Sequence, residues 1–172
     1  MVAFLALRRK LVSGIVGLFA MGALMACDGS LGSGPLINTS RAVPVALLVP
    51  KSSGVAGNLA QSLENAARLA VSDLQSVEID LRVYDTAGTA EGAAFAANQA
   101  VGDGARIIVG PLFGEAAASA GQAVAARGVN VLTFSNNPAI AGGNVFLLGN
   151  TFQTSADRLV RYAASQAKGD IY

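Results

Sequence analysis

From Val43 onward the chain alternates short apolar runs with Ala-rich stretches of helical period, and this alternation limits the possible folds more than any other feature. Residues 43–49 read Val-Pro-Val-Ala-Leu-Leu-Val. A run apolar nearly throughout suits a central parallel strand buried on both faces. Pro44 fits it only near the start, where no ladder donor is needed. A helix is predicted over 57–75, with Leu59, Leu63, Ala66, Ala67, Ala70 and Leu74 on its buried stripe. Gln61, Glu64, Arg68 and Asp73 are then placed on its solvated face.

Residues 77–84 alternate apolar and charged side chains, the pattern of an edge strand with one wet face. A helix over 89–101 follows, with Thr89 as N-cap and Gly102 and Gly104 as its stop. A buried strand is expected over 106–110, a helix over 115–127 ended by Gly128, and a fourth strand over 129–134. Residues 145–148 form a short extended piece. Thr154-Ser155-Ala156-Asp157 resembles a capping box opening a last helix to about Ala167. A fifth strand is expected to begin at Asp170, and without it one sheet edge would be bare. Strands and helices in this order imply an α/β, doubly wound parallel sheet of Rossmann-like type, with right-handed crossovers and helices on both faces.

Composition removes most catalytic classes. The 172 residues contain no His, which excludes Ser-His-Asp and Cys-His catalysis and His-ligated metals. A single Cys excludes an intramolecular disulfide and a zinc-binding Cys cluster. Twelve basic against 11 acidic residues give no electrostatic case for nucleic acid. There is no Walker A loop and no nucleophile elbow, and Gly102-Asp103-Gly104 precedes a strand where a dinucleotide fingerprint would follow one. No cofactor and no metal are expected.

The N-terminus reads as a targeting segment. Arg8, Arg9 and Lys10 precede an apolar run over 11–26, shorter than the ~20 residues that span a bilayer. Leu24-Met25-Ala26-Cys27 resembles a bacterial lipobox, so 1–26 is expected to be a lipoprotein signal peptide and Cys27 the lipid-attachment site. The Gly- and Ser-rich segment 27–42 is then a flexible tether, and 43–172 the folded domain. These features place the protein on the periplasmic side of a bacterial membrane, held by a lipid anchor.

Four segments carry a family resemblance: Val45-Ala46-Leu47-Leu48-Val49-Pro50, Asp85-Thr86-Ala87-Gly88-Thr89, Gly104 through Leu112, and Val131-Leu132-Thr133-Phe134-Ser135-Asn136. In this order they resemble the first lobe of the type I periplasmic binding proteins, the leucine/isoleucine/valine-binding group, over about 43–172. Within that group the chain is most similar to the penicillin-binding protein activators. The resemblance implies two lobes joined by a hinge around a cleft, of which 172 residues hold one. It also implies a non-enzymatic envelope lipoprotein whose partner is a peptidoglycan synthase or other envelope protein. The alternative is the solute-binding component of an ABC-type amino-acid uptake system, with a small-molecule ligand.

In open α/β sheets the ligand crevice lies outside the carboxyl ends of the strands. That places the candidate cleft in loops 50–54, 85–88, 110–114 and 135–138, with Ser52, Ser53, Asp85, Glu115, Ser135 and Asn136 as its polar groups. The amino-acid-binding relatives carry hydroxyls in the loops after the third and fourth strands. Here Phe113-Gly114-Glu115-Ala116 has none, and Glu115 would repel a substrate carboxylate if it faced the cleft. Asp85 and Glu115 as an acid/base pair for hydrolysis are the remote third reading, because Asp85 reads more simply as a turn cap and Glu115 as an acid favoured by the helix macrodipole. Ser135 and Asn136 are expected to be solvated loop groups, replaceable by Ala with little effect on folding.

Overall fold

The computed structural model describes residues 35–166. The expected signal segment, Cys27 and the strand expected to begin at Asp170 lie outside these residues. Within them the elements are β1 (Val43–Val49), α1 (Gly57–Asp73), β2 (Ile79–Asp85), α2 (Ala90–Gly102), β3 (Ile107–Val109), α3 (Gly114–Val124), β4 (Asn130–Thr133), β5 (Val145–Leu147) and α4 (Phe152–Gln166). Short 3-10 turns follow α3 at Ala125–Arg127 and precede β5 at Pro138–Ile140.

All strand pairs are parallel, in the order β2-β1-β3-β4-β5. The extended piece at 145–148 is therefore a true fifth strand, and β2 is the edge that its charge alternation implied. The order reverses between β1 and β3, which makes the mouth between their carboxyl ends the topological switch point.

Register assigns the two faces. Ala46, Ile108, Val131 and Val145 lie side by side across the sheet. They pack on Ala93, Ala96, Ala97 and Ala100 of α2 and on Ala116, Ala120 and Val124 of α3. Alanine keeps these two helices close to each other and to the strands. The next row across the sheet, Val83, Leu47, Val109, Leu132 and Phe146, points to the opposite face. There α1 covers Leu47 and Val49 with Ala60, Leu63 and Ala67. Coverage thins beyond β3, so Phe146 and Leu148 remain 48% and 54% exposed.

Three expectations are corrected. The buried stripe of α1 is turned from the one expected: Ala60 and Glu64 are buried, while Leu59, Ala66, Ala70 and Leu74 are exposed. Glu64 tolerates burial because Lys51 Nζ lies 2.8 Å from its Oε2 and Arg68 Nη2 2.7 Å from its Oε1. The last helix starts at Phe152, before the proposed box, and the Thr151 hydroxyl accepts the Thr154 N–H at 3.1 Å. The third helix ends at Val124 and tightens into a 3-10 turn, which Gly128 closes in the left-handed region at φ 65°. Thr89 caps α2 as expected, its hydroxyl accepting the Gly92 N–H.

Candidate functional site

The loops after β1, β2 and β3 meet at the carboxyl end of the sheet. Asp85 ends β2 opposite Val49 of β1, so its carboxylate reaches the neighbouring loop and accepts the Ser52 N–H at 3.2 Å. The same carboxylate accepts the Ala87 N–H at 2.8 Å and closes its own turn. Burial pushes the Asp85 pKa up, but the Ser52 hydroxyl and the N–H groups of Ala87, Ser52 and Lys51 outweigh it, leaving it below the ordinary carboxylate value. Asp85 therefore acts as a strut between two loops, the turn-capping role, and its oxygens are engaged by donors that a general base would need to shed.

Ser53 accepts the Ala56 N–H at 3.3 Å and so shapes the entry to α1. A Cβ placed on Gly88 would sit about 3.5 Å from both the Ser53 side chain and the Phe113 ring, so all three loops converge at that glycine. Beside it lies a cavity of about 560 Å³ lined by Gly88, Thr89, Ala90 and Glu91 at the start of α2, and by Phe113, Gly114, Glu115 and Ala116 at the start of α3. Glu115 thus lines this cavity. Glu91, absent from the sequence-derived set, stands with it. An acidic residue in the first turn of a helix that starts at the carboxyl end of the sheet is the signal that could have found it.

Charge decides what this wall favours. Each helix N-terminus supplies about half a positive charge, whereas each glutamate supplies a full negative one, so the wall is net acidic. The Thr89 hydroxyl on it accepts the Gly92 N–H and keeps its own O–H as a single neutral donor. The wall therefore disfavours a carboxylate and suits a neutral or cationic group.

The loop after β4 is held from inside. Ser135 is only 5% exposed, which corrects its reading as a solvated group. Its N–H donates to Thr133 Oγ1 at 3.1 Å, and Thr133 Oγ1 donates to the Pro111 carbonyl at 2.7 Å. Its own Oγ accepts the Asn137 N–H at 3.2 Å. The Thr133 hydroxyl and the Phe134 N–H, both bonded to the Pro111 carbonyl, thus tie the β4 loop to the β3 loop, and Ser135 braces the β4 side from within, while Asn136 is exposed to solvent. Ser52 is exposed and holds Asp85 through both its N–H and its hydroxyl.

A five-stranded parallel sheet with this order, and loops gathered at its carboxyl end, has the architecture of a type I periplasmic-binding-protein lobe. The chain belongs to the periplasmic binding protein family, whose profile matches residues 42–172. Solved structures share the fold. A leucine-binding protein from Thermotoga maritima aligns at TM-score 0.59 and 21% identity, covering 73% of this chain and 38% of that one. A solute-binding protein of an ABC transporter from Rhodopseudomonas palustris, in complex with 3,4-dihydroxybenzoic acid, aligns at 0.61 and 19%, covering 73% and 37%. The branched-chain amino-acid transporter substrate-binding protein of Streptococcus pneumoniae, in complex with isoleucine, aligns at 0.58 and 18%, covering 64% and 34%. The chain thus spans little more than a third of the length of these structures. No curated protein matches it.

Proposed function

We propose that this chain forms one lobe of a solute-binding protein serving ABC-type uptake, non-enzymatic and working on the periplasmic side of the membrane. The observation that carries this reading is the cavity between the starts of α2 and α3, at the carboxyl end of the sheet. One lobe supplies one wall of such a cleft, and closure on a second lobe buries the ligand. Calorimetric titration of the protein with leucine, isoleucine and valine tests the amino-acid form of this reading. Micromolar binding supports it; heats equal to those of buffer dilution remove it.

A second reading is favoured by the acidic wall of Glu91 and Glu115, which departs from the hydroxyl-lined loops of amino-acid binders. In this reading the protein is an activator-branch lipoprotein that contacts a peptidoglycan synthase and stabilises its active conformation. A rise in glycan polymerisation on adding the protein to a purified synthase supports it, and an unchanged rate counts against it. Both readings include anchoring through Cys27. Labelling with a fatty-acid probe is then lost in Cys27→Ser, and labelling that persists refutes the anchor.

A further inference from the structure

The end of the sheet opposite the cleft carries a second cavity, of about 320 Å³, where the chain enters the domain. Leu36, Asn38 and Arg41 line it from the entering segment, Val43 and Pro44 from the start of β1, and Gly104 and Arg106 from the turn before β3. We propose that this cavity is a site for the phosphate headgroup of an anionic phospholipid.

Three observations carry the proposal. The first is charge: Arg41 and Arg106 line one small cavity, and none of the residues lining it is acidic. Among the described residues, neither arginine belongs to an ion pair; those present are Lys51–Glu64, Arg68–Glu64 and Arg82–Asp80. Asp103, one residue before the lining Gly104, is engaged elsewhere: its carboxylate accepts the Tyr84 hydroxyl at 3.0 Å. Two guanidinium groups that pair with no carboxylate among the described residues suit the bidentate hydrogen bonding of phosphate oxygens.

The second observation is that hydrogen bonds fix Arg106 directly and shape the segment that carries Arg41. The Arg106 N–H donates to the Pro44 carbonyl at 2.9 Å, which fixes Arg106 beside the start of β1. On the other edge of β1 the Val43 N–H donates to the Glu78 carbonyl at 2.8 Å. The Asn38 side chain accepts the Ser40 N–H at 2.9 Å and turns the chain just ahead of Arg41. The third observation selects a lipid over a free phosphate. Leu36 lines the same cavity and is 93% exposed, and its neighbour Ile37 is also exposed. Apolar side chains next to a cationic site are the pairing that an acyl–headgroup boundary satisfies.

The test is flotation of the full chain with vesicles of phosphatidylcholine alone and of phosphatidylcholine mixed with phosphatidylglycerol. Comparing variants in the same two lipids cancels the contribution of the N-terminal apolar run. The expected result is an anionic-lipid increment that falls about fivefold or more in Arg41→Gln/Arg106→Gln and is only partly retained in Arg41→Lys/Arg106→Lys, which keeps the charge near the anionic surface but not the bidentate fork. Arg106→Gln alone is expected to show a partial fall and guards against misfolding of the double variant. An increment equal in the parent and in both Gln variants overturns the proposal. A soluble probe, sn-glycerol 1-phosphate, separates the sources. If it binds the arginine pair in the absence of vesicles and the vesicle increment does not depend on that pair, the lipid assignment is overturned.

Discussion

Gly121 of α3 faces Val145 of β5 so closely that a Cβ on the glycine would overlap the Val145 Cγ2. This contact lets the α3 backbone lie against the last strand. The Asn144 amide spans the same junction, donating to the Gly121 carbonyl at 3.0 Å and to the Val129 carbonyl at 2.8 Å. Val145 is β-branched and buried, so it has little room to yield. Gly121→Ala is therefore expected to destabilise, since overpacking costs ~1–3 kcal/mol and the gain in helix propensity returns at most ~1 kcal/mol. In a denaturant melt the midpoint falls, and Val145→Ala in the same chain recovers part of the loss. Additive losses in the double variant would show that the two residues do not compete for space.

The network beneath the candidate cleft gives the next prediction. Thr133→Val removes the acceptor of the buried Ser135 N–H and is expected to cost ~1–3 kcal/mol. Ser135→Ala removes the acceptor of the Asn137 N–H and should cost ~1 kcal/mol. Asn136→Ala, at an exposed position, should stay within ~0.5 kcal/mol of the parent. Thermal melts rank the three; equal midpoints for Ser135→Ala and Asn136→Ala would return Ser135 to the status of a solvated loop group.

Acid sensitivity follows from two carboxylates. The hydrogen bond from Lys51, then that from Arg68, lowers the Glu64 pKa against the opposing effect of burial. Asp85 is lowered by its loop donors, again against burial. A group whose folded pKa is depressed stabilises fully above its unfolded pKa, and that stability is lost as pH falls through the folded value. Both contributions are thus intact near neutral pH and decline below about pH 4, the range of an unperturbed carboxylate. Glu64→Gln is expected to lower the melting midpoint at pH 7 by a few degrees, at roughly 3–5 °C per kcal/mol, and to flatten the loss in acid. A pH profile parallel to that of the parent would exclude Glu64 as a source of acid sensitivity.

Much of the fold was legible because strand burial and helix period are local signals. The run at Val43–Val49 and the Thr89 cap can be read directly from side-chain type, and the structure places both as expected. What escaped depends on partners distant in sequence. The burial of Glu64 requires Lys51, which arrives from the loop after β1. The expected stripe of α1, with Leu59, Leu63 and Leu74, is more apolar than the one that faces the sheet, which includes Glu64, so apolar period alone selects the wrong face. The strand Val145–Leu147 is three residues long, too short for periodicity to establish, and exists because it pairs with Val131–Thr133. At the site, Asp85 was recognisable as a turn cap, but its reach to Ser52 depends on the parallel register of β1 with β2. Glu91 was missed because only the fold brings the starts of α2 and α3 to one cavity.

The uncovered part of the sheet gives the last prediction. Val109, Leu132 and Phe146 continue the row begun by Val83 and Leu47, yet α1 packs only over the first part of it. Phe134 and Leu148 lie on the same face, and Phe146 and Leu148 are half exposed. Contiguous apolar surface of this kind binds hydrophobic dyes and favours self-association. The chain is therefore expected to enhance the fluorescence of anilinonaphthalene sulfonate while its secondary structure is intact. Phe146→Ser/Leu148→Ser should reduce that signal severalfold. The stability cost should be modest, because the side chains removed already face water in large part and truncation forfeits only their remaining burial, at ~25 cal/mol per Å². Dye binding undiminished in the double variant would locate the accessible apolar surface elsewhere, and the exposed face of α4, with Leu159 and Tyr162, would be the place to substitute next.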